Sequence, residues 1–260
     1  MKTVIEIKNL SKTFVTSSNG MSTIRDRFTK IFTSEAKVIK EVKALKDINF
    51  EVKQGEFFGI VGRNGSGKST LLNLLIGSIR PDKGSIVKTN GKMIRLALGM
   101  GFDGNLSARD NIYINGSILG LTFKRIGLIF DDIIGFAELE DFVDLPVKKY
   151  STGMLSKLKF AIAIHAEADI FLMDEFFGGV GDESFRAKSS AIFKNTFLDG
   201  RTIIHVSHQL NTISEHSQRV LVLDKGKQLH VGNVESGLAT YRALFPKKKQ
   251  KAKENINKTR

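Results

Sequence analysis

An α/β fold built round a buried sheet is predicted by three features of this 260-residue chain. Short apolar, β-branched runs such as Ile170-Phe171-Leu172-Met173 and Arg201-Thr202-Ile203-Ile204-His205-Val206 recur along it, as buried strands require. Helical periodicities separate them. A glycine-rich turn, Gly62-Arg63-Asn64-Gly65-Ser66-Gly67-Lys68-Ser69-Thr70, joins one such strand to a helix.

Thr3 to Lys8 alternates Val4, Glu6 and Lys8 with Ile5 and Ile7, the pattern of a half-buried strand. From Met21 to Phe32 the pattern changes: Met21, Ile24, Phe28, Ile31 and Phe32 recur at helical spacing, with Arg25, Arg27 and Lys30 on other faces. A basic amphipathic helix is expected there, packed on its own domain or lying against a membrane or membrane partner. Strand-like sequence resumes at Ala44 to Phe50 and turns through Gln54-Gly55 into Glu56 to Val61, a buried strand. Leu71, Leu72, Leu75 and Ile79 then mark a helix, and Pro81-Asp82-Lys83-Gly84 a turn. Residues from about Asp110 to Glu167 read mostly as helix and form a sub-lobe. Val220 to Lys227 reads as a hairpin.

Composition excludes several classes. The chain has no cysteine, which rules out disulfides and thiolate chemistry. No apolar run approaches the ~20 residues of a membrane span, and Met1 to Glu6 lacks the core of a signal peptide, so a cytosolic location is expected. Of the net charge of +13, the fifteen residues from Pro246 to Arg260 carry +6. Such a basic tail is commonly a solvated, disordered end, and its functional reading is contact with an anionic membrane surface. Nucleic-acid binding is not expected, since no aromatic residue is interleaved with the tail lysines.

The turn carries the chemistry. Its glycines, Gly62, Gly65 and Gly67, let the backbone wrap round phosphates, with Asn64, Ser66 and Thr70 contributing backbone or side-chain donors. Lys68 is placed to reach the β- and γ-phosphates of a nucleoside triphosphate, and Ser69 to ligate Mg²⁺. Asp174-Glu175 follows the strand Ile170 to Met173, where Asp174 can serve the metal and Glu175 can activate water. His208 ends the next strand and can sense the γ-phosphate, whereas His205, inside that strand, reads as packed. Ser151 and Gly153, in Tyr150-Ser151-Thr152-Gly153-Met154, stand at a helix start.

In this order these motifs resemble the nucleotide-binding domains of ATP-binding cassette (ABC) transporters, over roughly Thr3 to Tyr241. The resemblance implies a P-loop NTPase fold with a RecA-like core, an ABC β-subdomain and a helical sub-lobe. It divides the chain into an ABC-type ATP-binding domain at 1–245, with the sub-lobe at about 105–167 and the insertion at about 17–40, and a basic tail at 246–260. It also implies ATP and Mg²⁺ as cofactors and a head-to-tail homodimer. Ser151 and Gly153 would then meet the γ-phosphate bound by the other subunit, and Phe14 would stack on adenine.

Two departures from the common ABC pattern stand out: the signature keeps only Ser151 and Gly153, and no glutamine occurs between Gln54 and Gln209. In that place stands Leu98 to Leu106, followed by Ala108-Arg109-Asp110-Asn111-Ile112, and Gly179-Val180-Gly181-Asp182 follows the acids. These features are similar to the ATPases that export lipid-linked polysaccharide of the O-antigen, capsule or teichoic acid type. That branch implies two copies of an integral-membrane permease as partners, a lipid-linked glycan as cargo, and a peripheral position on the cytoplasmic face of the membrane. The alternatives are an ABC ATPase for a lipid, drug or peptide, or a soluble one acting on ribosome or DNA. Asp103 is the acid expected to substitute for the glutamine.

Overall fold

The computed structural model describes residues 2–17, 39–96, 101–174, 183–197 and 200–245. The expected helix at Met21–Phe32, Glu175, the Gly179–Asp182 motif and the basic tail lie outside them.

Among the described residues nine strands form one sheet, in the order β4 (Ile86–Thr89), β1 (Thr3–Ser17), β2 (Ile39–Lys53), β9 (Lys227–Gly232), β8 (Arg219–Asp224), β3 (Phe57–Gly62), β7 (Thr202–Val206), β6 (Ile170–Asp174) and β5 (Met93–Leu96). Its parallel half contains β3 (Phe57–Gly62), β5 (Met93–Leu96), β6 (Ile170–Asp174), β7 (Thr202–Val206) and β8 (Arg219–Asp224). Every residue of β3 and β7 is buried, which explains their unbroken apolar runs. The antiparallel half holds β1 (Thr3–Ser17), β2 (Ile39–Lys53) and β4 (Ile86–Thr89). Here alternation returns because one face meets solvent. β9 (Lys227–Gly232) joins the halves, antiparallel to β8 and parallel to β2 through Lys46 and Lys227.

Helix α1 (Lys68–Leu75) leaves the glycine-rich turn and buries Leu71, Leu72, Leu74 and Leu75 against the sheet. The sub-lobe consists of α2 (Ala108–Ile118), α3 (Phe123–Ala137) and α4 (Thr152–Ala163), which share a core of their own including Ile112, Ile126, Ile133 and Leu158. Each of these helices starts on a side-chain cap: Ser107 in a capping box with Asp110, Thr122, and Ser151. Helices α5 (Glu183–Phe197), α6 (Leu210–His216) and α7 (Val234–Ala243), with two 3₁₀ turns at Glu140–Phe142 and Val147–Lys149, complete the described elements. Four of them, β4, β5, α6 and α7, are not evident in the sequence pattern.

Candidate functional site

The turn between β3 and α1 is shaped by backbone constraints. Gly65 and Gly67 adopt φ of 75° and 107°, which L side chains rarely take. A Cβ at Gly67 would also come within 2.7 Å of the Ala44 carbonyl. Lys68 is nearly buried, and its Nζ donates to the carbonyls of Gly62 (2.6 Å) and Arg63 (3.0 Å). The ammonium is thus held inside the loop by two acceptors that phosphate oxygens can replace.

A cavity of about 730 Å³ opens beside the turn. Residues 64–70, Asp174 and His208 all line it, so three elements far apart in sequence meet there. It lies outside the carboxyl ends of β3, β6 and β7, where open parallel sheets place their ligands. Other lining residues were not legible in the sequence: Val42, Lys43 and Ala44 of β2, and Lys225-Gly226 of the β8–β9 hairpin. That hairpin is tied to the turn, since Gly226 N–H donates to the Ser66 carbonyl at 3.0 Å and Lys46 N–H to the Gly226 carbonyl at 2.8 Å. Lys225 and Gly226 both have positive φ, the requirement of a tight two-residue turn.

His208 is exposed at the cavity, on a bend braced by the Gln209 N–H, which donates to the Ser207 hydroxyl at 3.0 Å. His205 is fully buried, edge-on to Phe57 at 5.7 Å. Burial, followed by the neighbouring His216, pushes its pKa down to about 3, so the ring stays neutral. The two histidines of one strand and its end therefore separate as expected, into a packed ring and a solvent-facing one.

Asp174 carries a contact the sequence did not reveal: Arg95 of β5 donates to its Oδ2 at 2.6 Å. Ser69 and Asp174 are the oxygen donors that could hold Mg²⁺. They fit that ion, which is commonly held by one or two protein ligands with phosphates and water supplying the rest.

The remaining candidates stand apart from the cavity lining. Gly62 contributes its carbonyl to Lys68 but does not face the cavity. Phe14 is exposed on β1, with the Lys12 ammonium 5.4 Å from its ring, and is in register with the cavity residue Val42. Ser151 and Gly153 sit in the sub-lobe, where the Ser151 hydroxyl accepts from Met154 N–H at 3.1 Å. Asp103 does not approach Asp174 among the described contacts; its carboxylate accepts from the backbone and side chain of Asn105. The buried Asn111 explains the Asp-Asn-Ile motif structurally. Its amide nitrogen donates to the carbonyls of Asp103 and Ser107, and its oxygen accepts from Asp103 N–H, pinning that loop on α2.

Fold and cavity together define a phosphate-loop nucleotide-binding protein. The family model described as ABC transporter matches residues 45–178. The chain belongs to the ABC transporter family and its ATPases. It is 42% identical over 202 residues to the O-antigen export system ATP-binding protein RfbB of Myxococcus xanthus, covering 77% of this chain and 46% of that one. It is 40% identical over 200 residues to RfbB of Klebsiella pneumoniae, covering 76% and 80%. It is 39% identical over 232 residues to the teichoic acids export ATP-binding protein TagH of Lactococcus lactis, covering 87% and 49%. The chain thus spans about half the length of the Myxococcus and Lactococcus relatives. Its fold is that of a solved ATP-binding subunit of an ABC transporter, with TM-score 0.66, 18% identity, and 92% and 93% of the two chains covered. The post-hydrolysis dimer of the cassette MJ0796 shares it at TM-score 0.62 and 22% identity, covering 88% and 98%.

Proposed function

We propose that this chain is the ATP-hydrolysing subunit of an exporter that moves a lipid-linked polysaccharide, of the O-antigen, capsule or teichoic acid type, across the cytoplasmic membrane. The observation that carries the reading is the convergence of Lys68, Ser69, Asp174 and His208 on one cavity, in a chain similar to O-antigen and teichoic acid export proteins. In this reading the N–H groups of the turn and the α1 N-terminus bind the triphosphate, and Lys68 exchanges its two carbonyl partners for phosphate oxygens. Ser69 and Asp174 hold Mg²⁺, which supplies charge neutralisation at the β- and γ-phosphates. Glu175, next in sequence to Asp174, orients and deprotonates the attacking water, and His208 hydrogen-bonds the γ-phosphate. Phe14, beside Val42, stacks on adenine.

Ser151 and Gly153 act on nucleotide held by a second copy, making the working unit a homodimer beneath two permease subunits. The ATP-binding domain takes in 1–245, with the sub-lobe at about 105–167. The insertion at about 17–40 and the tail at 246–260 face the membrane or the permease, on its cytoplasmic side.

The test uses Glu175→Gln. It should retain ATP binding while hydrolysis falls about 10²- to 10⁴-fold. Extracted with ATP and Mg²⁺ from native membranes, it should bring down a stoichiometric polytopic permease encoded beside glycan-assembly enzymes. Wild-type turnover in the variant would contradict the assignment of the base. Recovery only in the soluble fraction, with ribosomal or DNA-bound partners, would overturn the exporter reading.

A further inference from the structure

Arg95 joins three elements at the edge of the nucleotide cavity. From β5 its Nη2 donates to Asp174 Oδ2 at 2.6 Å, and its Nη1 donates to Asn73 Oδ1 of α1 at 3.3 Å. The register explains the reach: Arg95 lies opposite Leu172, and Asp174, two residues on, projects from the same face of β6. Both partners of the ion pair are about one quarter exposed, so solvent screens it only in part. The Arg95 Nε is buried and makes no hydrogen bond. A guanidinium with a buried N–H unmatched is held by its other contacts, since most buried donors are paired.

The chemistry of this contact conflicts with the role of Asp174. The carboxylate oxygen that accepts from Arg95 is one of the two through which Asp174 can reach a metal ion. A cation that takes that oxygen must displace the guanidinium. We propose that Arg95 is a positioning residue that competes with Mg²⁺ for Asp174, so that metal bound with the triphosphate has to displace the guanidinium. The inference rests on the nucleotide-site reading above. Because Arg95 also grips Asn73, its release loosens a tie between β6 and α1 at the moment the metal arrives.

Competition of this kind is read as a coupling between metal and nucleotide. Wild type, R95Q, R95K and N73A are titrated with a fluorescent non-hydrolysable ATP analogue, once in EDTA and once in excess Mg²⁺. The ratio of the two dissociation constants is the readout. With Arg95 removed, R95Q should bind about fivefold more tightly in Mg²⁺ and no more tightly in EDTA, so the ratio rises about fivefold. R95K, which can pair with Asp174 but not bridge to Asn73, should fall between the two. N73A should show a smaller rise.

A merely structural role would weaken binding in both buffers and leave the ratio where it was. That result, in variants with wild-type melting curves, would overturn the proposal. So would a lower ratio, which would make Arg95 an aid to metal binding. If R95Q does not fold, R95K and N73A decide by the same ratio. Wild type failing to bind the analogue in either buffer is a different outcome: it removes the nucleotide reading itself, and the proposal with it.

Discussion

Lys68 is 8% exposed and donates to two carbonyls of its own loop, whereas Ser151 is exposed and its hydroxyl accepts one N–H from the first turn of α4. The first group is desolvated and lies among other chemical groups of the cavity. The second is engaged only in capping a helix, and faces outward. Their supports differ as well. The helix behind Lys68 packs on the main sheet cluster, while Ser151 is carried by the sub-lobe, whose buried core shares no residue with that cluster. The two bodies communicate through a third cluster under β5 to β7, which Leu119 and Phe136 of the lobe also touch. A phosphate site benefits from rigid, buried donors. A surface that serves a second molecule needs its polar groups accessible, and a separately packed lobe can move them as a unit.

The largest effect should come from Lys68→Ala. Two charge-assisted contacts to phosphate would be lost, weakening ATP affinity about a thousandfold by fluorescence titration, with the sub-lobe intact. Next, Ile133→Ala, fully buried in the lobe core, should cost about 3 kcal/mol in urea unfolding yet leave nucleotide affinity within about twofold. Parallel loss of affinity would break the distinction between the two bodies.

The smallest effect concerns His205. Its folded pKa of about 3 lies below the ordinary value of 6.5. The stability this neutral ring contributes is therefore complete above pH 6.5 and is lost as pH falls toward 3. From pH 7 to 5.5 the unfolded chain takes up a proton that the fold refuses, costing about 1 kcal/mol. His205→Gln should flatten that slope in denaturation at the two pH values, and Ile133→Ala should not.

The parts of the site legible in the sequence were those coded by short-range pattern. The turn 62–70 lies between an apolar run and a helix, Asp174 ends an apolar run, and position within or just beyond β7 separates His205 from His208. What stayed hidden depends on pairing between distant segments. Val42 to Ala44 and Lys225-Gly226 become a cavity wall only because β9 docks on β2 at Lys46 and Lys227. β5 was missed because four residues with an arginine among them make no periodic signal, and Arg95 reaches Asp174 only through strand register. β4 is mostly exposed and carries little apolar pattern. Asp103, the acid expected to substitute for the glutamine, is not among the cavity-lining residues, and its carboxylate serves the turn at Asn105.

β1 and β2 remain paired out to Ser17 and Ile39. Facing Cα atoms in an antiparallel ladder are only about 5 Å apart, so residues 18–38 leave and rejoin the sheet at nearly the same point. A hairpin turn could join Ser17 to Ile39 in the laboratory without moving either strand. The ladder thus fixes the two ends of that stretch beside each other, whatever lies between them.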